Sequence, residues 1–158
     1  MDHKKNKRIL VSAIACALGL SVSPVSIAAN DIEIVSGTDL TNITQTTETD
    51  GSVSFTSSTD SAVLGIDSVL VSSYPYPPVV SITTGDVGSQ TGDLSLNTAI
   101  DFNNLNGYTQ YNLTAHNNIT LSSSIADSYV TGSGGDYFRL NLNPDSDSDG
   151  NGEVILNG

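Results

Sequence analysis

The 158-residue sequence has one cysteine, no tryptophan and five basic residues. The cysteine, Cys16, lies in an amino-terminal stretch with the marks of a removable leader. Past that stretch there is no thiol, which excludes a disulfide scaffold, a thiolate nucleophile and a cysteine-based metal centre. Ala13-Ile14-Ala15 in front of Cys16 is a poor match to a lipid-attachment signal. Four of the five basic residues, Lys4, Lys5, Lys7 and Arg8, sit in the same stretch. Beyond residue 29, Arg139 alone stands against sixteen Asp and Glu, a net charge of −15. Such a surface repels phosphate backbones and anionic lipid heads, and so excludes nucleic acid as a partner. It suits a salty or calcium-containing exterior, where cations screen self-repulsion. There is also no G-x-S-x-G, no phosphate-cradling glycine loop, and no second histidine past the leader to pair with His116 around zinc. His116 is therefore read as a polar corner residue and not as a catalytic base.

The leader has a basic start from His3 to Arg8, an apolar run from Ile9 to Leu20, and small residues at Ser26-Ile27-Ala28-Ala29. That order predicts a secretory signal peptide over residues 1–29, cut near Ala28 or Ala29. The apolar run falls short of the ~20 residues that a retained membrane span requires. Residues 30–158 are left to form one domain.

Within that domain no segment keeps helical periodicity for a useful length. Short apolar-polar alternations recur instead, separated by Gly, Asn, Asp and Ser: Ile32/Ile34, Val53/Phe55, Val79 to Thr83, Leu94/Leu96, Leu113/Ala115 and Ile119/Leu121. These predict strands and corners. Thr38 to Asp50 reads as loop or weak strand, and Ala62 to Val71 as two short strands broken at Gly65 and Asp67. Residues 72–78 carry three prolines and predict an extended excursion.

The alternations also repeat. Leu94, Leu96, Ile100 and Phe102 match Leu113, Ala115, Ile119 and Leu121 at an offset of nineteen. Leu140/Leu142 match Leu113/Ala115 at twenty-seven, and Val154/Leu156 match Ile119/Leu121 at thirty-five, which makes residues 143–153 an inserted acidic corner. Ile32/Ile34 and Val53/Phe55 stand twenty-one apart. A unit of about 20 residues cannot bury its apolar face alone, whereas stacked copies can. The expected fold is all-β, a short right-handed parallel β-helix, or solenoid. A small antiparallel β-sandwich is the alternative, since it too has many short strands.

Asn112 to Ile125, NLTAHNNITLSSSI, resembles the coils of large bacterial exoproteins of the filamentous haemagglutinin type, and Phe138 to Leu156 is similar to their acid-rich coils. The resemblance covers residues 93–158. It implies a right-handed parallel β-helix, export across the outer membrane with a secretion partner there, and adhesion. Those exoproteins are far longer, and residues 30–71 show no counterpart of their amino-terminal secretion domain.

One ligand cluster stands out: Asp145, Asp147, Asp149, Asn151 and Glu153 place oxygen side chains at alternate positions around Gly150. Hard cations such as Ca²⁺ take such donors. From Asp147 the spacing follows the start of an EF-hand loop, but the twelfth position is Gly158 in place of a bidentate Glu, and strand patterns flank the loop. A calcium site at a β-turn and a solvated acidic corner are both compatible with this pattern.

These readings converge on a secreted or surface-exposed adhesin-like binding or structural module without catalytic activity. Its partner would be a host or neighbouring cell surface, a glycan or a matrix component. The alternative is a secreted calcium-binding structural β-domain. An extracellular glycan-active enzyme ranks third, because Arg139 alone offers a cation beside the carboxylates.

Overall fold

The computed structural model describes residues 29–70, 79–101, 108–126 and 137–157. Most of the predicted leader, the proline-rich stretch 72–78 and the repeat position Phe102 lie outside these residues.

The described residues are all-β apart from one helical turn. In order they form β1 (Ile32–Val35), β2 (Leu40–Thr41), β3 (Ile43–Thr47), β4 (Val53–Ser57), β5 (Ala62–Gly65), the turn α1 (Ile66–Val69), β6 (Val79–Thr83), β7 (Leu94–Leu96), β8 (Ile100–Asp101), β9 (Tyr108–Thr114), β10 (Ile119–Leu121), β11 (Ile125–Ala126), β12 (Tyr137–Asn143) and β13 (Val154–Leu156). Where two strands were expected between Ala62 and Val71, β5 gives way to α1. A Cβ on Gly65 would come 2.6 Å from the Gly37 carbonyl carbon, so a backbone crosses close to the end of β5 and the strand goes no further.

The described residues form three sheets. A six-stranded sheet runs β13-β10-β7-β1-β5-β2, a five-stranded sheet runs β12-β9-β6-β4-β3, and β11 pairs with β8. Among the described residues eight strand pairings are parallel and two are antiparallel, β2 on β5 and β3 on β4. The sheets are thus mixed but mainly parallel, which overturns the antiparallel sandwich. Strands that follow each other in sequence mostly fall in different sheets. Strands that pair are 25 to 35 residues apart in the later part of the chain, as with Leu94↔Ile119 and Ile119↔Val154.

Side chains stack in columns because parallel partners in register bring like positions together. Leu64, Ile34, Leu96, Leu121 and Leu156 form one column in the six-stranded sheet. Phe55, Ile82, Leu113 and Leu142 form another in the five-stranded sheet. Inward residues of both sheets meet in a single core. Burying each large aliphatic side chain there contributes about 1.5–3 kcal/mol.

The repeat offsets need correction. The nineteen-residue match fails: Leu94 pairs with Ile119 and Ile100 with Ile125, both at twenty-five. Leu113 lies in the other sheet, against Ile82 and Leu142, and Leu140 stands beside Tyr111, so twenty-seven becomes twenty-nine. The twenty-one-residue step from Ile32 to Val53 also joins different sheets. Only thirty-five, Ile119 to Val154 and Leu121 to Leu156, is the observed register. The physical reason is that every strand has the same period of two, so alternation alone does not tell one sheet from another.

One strand breaks the sequential order. β4 and β6 are neighbours, yet β1 lies between β5 and β7, with Ile32 opposite both Ala62 and Leu94. The first described strand is therefore built into the middle of its sheet, and Ala29 and Asn30 just before it are fully buried.

Candidate functional site

Between the inward apolar positions of the six-stranded sheet, the outer face carries the polar Glu33, Ser95 and Thr120 in one row with the apolar Val63 and Ile155. Across β5, β1 and β7 this face sinks into a groove of about 430 Å³ lined by Asp31, Glu33, Gln90, Asp93, Ser95 and Asn97, among others. Asn97 Nδ2 donates to Glu33 Oε1 across it at 2.9 Å.

The edge of the groove is a ladder of side-chain acceptors, each at or near the residue before a strand. Gln90 Oε1 accepts the N–H groups of Asp31 and Ser61 at 3.1 and 2.7 Å. Asp31 Oδ1 accepts those of Gly92 and Asp93 at 2.9 and 2.8 Å. Asp93 Oδ1 accepts the Asn118 N–H at 3.0 Å and Asn117 Nδ2 at 2.7 Å. Asn118 Oδ1 accepts the Glu153 N–H at 3.1 Å. Each rung satisfies a corner N–H that the sheet leaves without a partner. The sequence carried a signal for this: an acid or amide directly before an apolar-x-apolar triplet at Asp31, Asp93, Asn118 and Glu153. The same pattern also occurs at Asn112, before Leu113-Thr114-Ala115 on β9 of the other sheet, so it narrows the register without fixing it.

A shorter amide ladder climbs the five-stranded sheet. Asn141 Nδ2 donates to Asn112 Oδ1 at 2.7 Å, and Gln110 Nε2 donates to the same oxygen at 2.9 Å.

The acidic corner between β12 and β13 brings together three of its five candidate ligands. One carboxylate oxygen from each of Asp145, Asp147 and Asp149 lies within 4.8 Å of the others. Glu153 is outside this group; its backbone belongs to the ladder through Asn118. Asn151 uses its N–H on Asp149 Oδ1 at 2.9 Å. The corner is seated on the one below: Asp145 N–H donates to the Asn117 carbonyl at 3.1 Å and Ser146 N–H to that of Ala115 at 3.0 Å. Strands flank it, so an EF-hand is ruled out by geometry.

His116 is 8% exposed, with Nε2 3.0 Å from Asp86 Oδ1 and Nδ1 without a hydrogen-bond partner. Its backbone N–H donates to Thr84 Oγ1 at 3.0 Å. It is a corner residue bound into the fold, with one carboxylate beside it. Elsewhere, Ser52 donates to Asp50 and Ser89 to Asp60, and each holds its carboxyl below the usual range. Burial pushes the Tyr111 hydroxyl well above the usual phenol range.

Among the described residues no helix is long and apolar enough to cross a membrane. No protein-family model, curated protein or solved structure matches this chain.

Proposed function

We propose that the chain is an exported, non-catalytic, adhesin-like module that winds as a right-handed parallel β-helix and binds a cell surface, glycan or matrix component along the outer face of its six-stranded sheet. The observation that carries this reading is the open groove across β5, β1 and β7, about 430 Å³ in volume, whose lining mixes hydroxyl, amide and carboxylate groups with Ile32, Ala62 and Val63. Such a surface offers many weak hydrogen bonds to a hydroxyl-rich ligand and no enclosed chamber for chemistry. The winding is supported by the order β4-β6-β9-β12 in one sheet and β7-β10-β13 in the other, since parallel neighbours need crossovers and crossovers are right-handed. The resemblance to filamentous haemagglutinin-type exoproteins points the same way, including a secretion partner in the outer membrane.

The test is binding of the purified secreted form to a glycan array and to intact cells, alongside Glu33→Lys with Asn97→Ala. Retention by wild type, at least tenfold weaker in the double variant and without turnover of the glycan, is the expected result. Equal retention of both proteins, or appearance of a cleaved product, defeats the proposal.

The export part has its own support. Ala29 is 0% exposed, and its N–H and carbonyl both bond Gln90, at 3.0 and 2.9 Å. A cut after Ala28 keeps this residue in the fold, whereas a cut after Ala29 removes it. Amino-terminal sequencing of secreted protein is expected to begin at Ala29, and protein found only inside cells with residue 1 intact would refute export.

A second reading, calcium binding at the β12–β13 corner, is favoured by the convergence of Asp145, Asp147 and Asp149. Calorimetry with millimolar calcium tests it. Heat that disappears in Asp147→Asn supports the site, and absence of heat in wild type disposes of it.

A further inference from the structure

Far along the chain from the acidic corner, three oxygens crowd one small volume beside Gly88. A Cβ there would fall on Asn30 Oδ1, 2.6 Å from the Ala29 carbonyl oxygen and 2.7 Å from Asp60 Oδ1. Asn30 has no exposed surface, and neither Oδ1 nor Nδ2 has a hydrogen-bond partner. A buried amide left in that condition is costly, and an amide oxygen turned toward two further oxygens is costlier still. The missing component is positive charge or a donor.

Nothing nearby supplies a cationic side chain, because past the leader the chain has only Arg139, which is on β12 in the outermost rung of the other sheet. Asp60 is ionised under ordinary conditions, since the Ser89 N–H donates to its Oδ1 at 2.9 Å and the Ser89 hydroxyl donates to its Oδ2. A shallow surface depression borders this place, lined by Ser58, Thr59, Asp60, Val87 and Ser89. One carboxylate, one amide oxygen, one main-chain carbonyl and hydroxyl groups at an accessible rim form the all-oxygen donor set that a hard cation takes, with water completing the shell.

We infer that Asn30, Asp60 and the Ala29 carbonyl form a calcium-type cation site that fastens the loop from Gly85 to Gln90 over the start of β1. The ion would join two parts of the chain that are distant in sequence, the amino-terminal segment and the β4–β5 corner, and the β6–β7 corner is held to them through the Ser89 bonds to Asp60. This inference does not depend on the adhesive reading, nor on the cluster at Asp145, Asp147 and Asp149.

The experiment uses the secreted form carrying Asp145→Asn, Asp147→Asn and Asp149→Asn, which removes the other acidic cluster. With a Kd near 1 mM, usual for extracellular modules, 10 mM CaCl₂ is expected to raise its melting temperature by about 5 °C and to titrate with one ion per chain. Adding Asp60→Asn or Asn30→Ala is expected to abolish both responses. Asn30→Asp adds a ligand charge, and is expected to melt lower than its parent in EDTA and recover in calcium. An Asn30 side chain turned to donate from Nδ2 to the same two oxygens would need no ion; it predicts that the triple variant ignores calcium, and that result overturns the inference. A calcium response that survives both Asp60→Asn and Asn30→Ala overturns it equally. Should Asn30→Ala fail to fold, Asp60→Asn, whose carboxyl lies at the rim of the depression, decides the matter.

Discussion

The two ends of the strand stack are closed differently. At one end β2 and β3 lie antiparallel on β5 and β4, and every residue of these two strands except half-buried Ile43 is exposed. They form a threonine-rich ribbon that covers the sheet edges with polar side chains. At the other end are β12 and β13, where Leu140 and Leu142 are half-buried and Val154 and Leu156 are 39% and 72% exposed. Leu156 stands in the same column as Leu96, which is 0% exposed. Residue type and register are alike, and among the described residues Leu156 has a partner strand on one side while Leu96 has one on each. Burial in this fold is a property of position in the stack.

The sharpest challenge to that comparison is to shorten one column at two heights. Leu96→Ala is expected to cost about 2–5 kcal/mol, and Leu156→Ala within about 0.5 kcal/mol, both read from urea unfolding. Equal costs would mean that stacking does not decide burial. At the ribbon-covered end, Gly65→Ala would drive a methyl group against the backbone of Gly37 and Asp39. About 1–3 kcal/mol is expected from that overpacking; a neutral result would show that the ribbon gives way.

A smaller effect separates the ladder from the sheets. Asp93→Ala leaves the Asn118 N–H and the Asn117 amide without their acceptor. Its expected cost is about 1–2 kcal/mol, with hydrogen exchange accelerated at Asn118 and not at Thr114. Uniform acceleration would deny the ladder a local role. The smallest effect concerns acid. The carboxyls of Asp50 and Asp60 are held below their usual range by bonds from Ser52 and Ser89. Folded protein therefore binds those protons more weakly than unfolded chain, so the stabilisation is present above about pH 4 and fades as pH falls through the lower, folded values. The melting temperature of Ser89→Ala is expected to drop less steeply than that of wild type between pH 4 and pH 2. Identical slopes would remove Asp60 from the account.

Much of the local structure was legible. Val79 to Thr83 is a strand with the expected bounds, the alternations at Ile32, Val53, Leu94 and Ile119 are strands, and Asp145 and its neighbours form a corner between strands. Period-two patterning reports which side of a strand faces the core, and these strands have one clear inward face. Register was misjudged wherever the offset linked strands of different sheets. The intercalation of β1 had only a faint local signal, the acid before the triplet shared by Asp31 and Asp93, because pairing depends on contacts between distant segments.

Composition by itself settled that residues 30–158 are acidic and carry no cysteine, and alternation that they form short strands, because those properties are read segment by segment. Only the tertiary structure decided which strands pair, that Asp145, Asp147 and Asp149 meet while Glu153 does not, and that Asn30 is buried against a loop more than fifty residues away. Such pairings rest on contacts between distant segments. A chain read one residue at a time carries the preferences of each segment, and their mutual fit appears only once the segments are packed together.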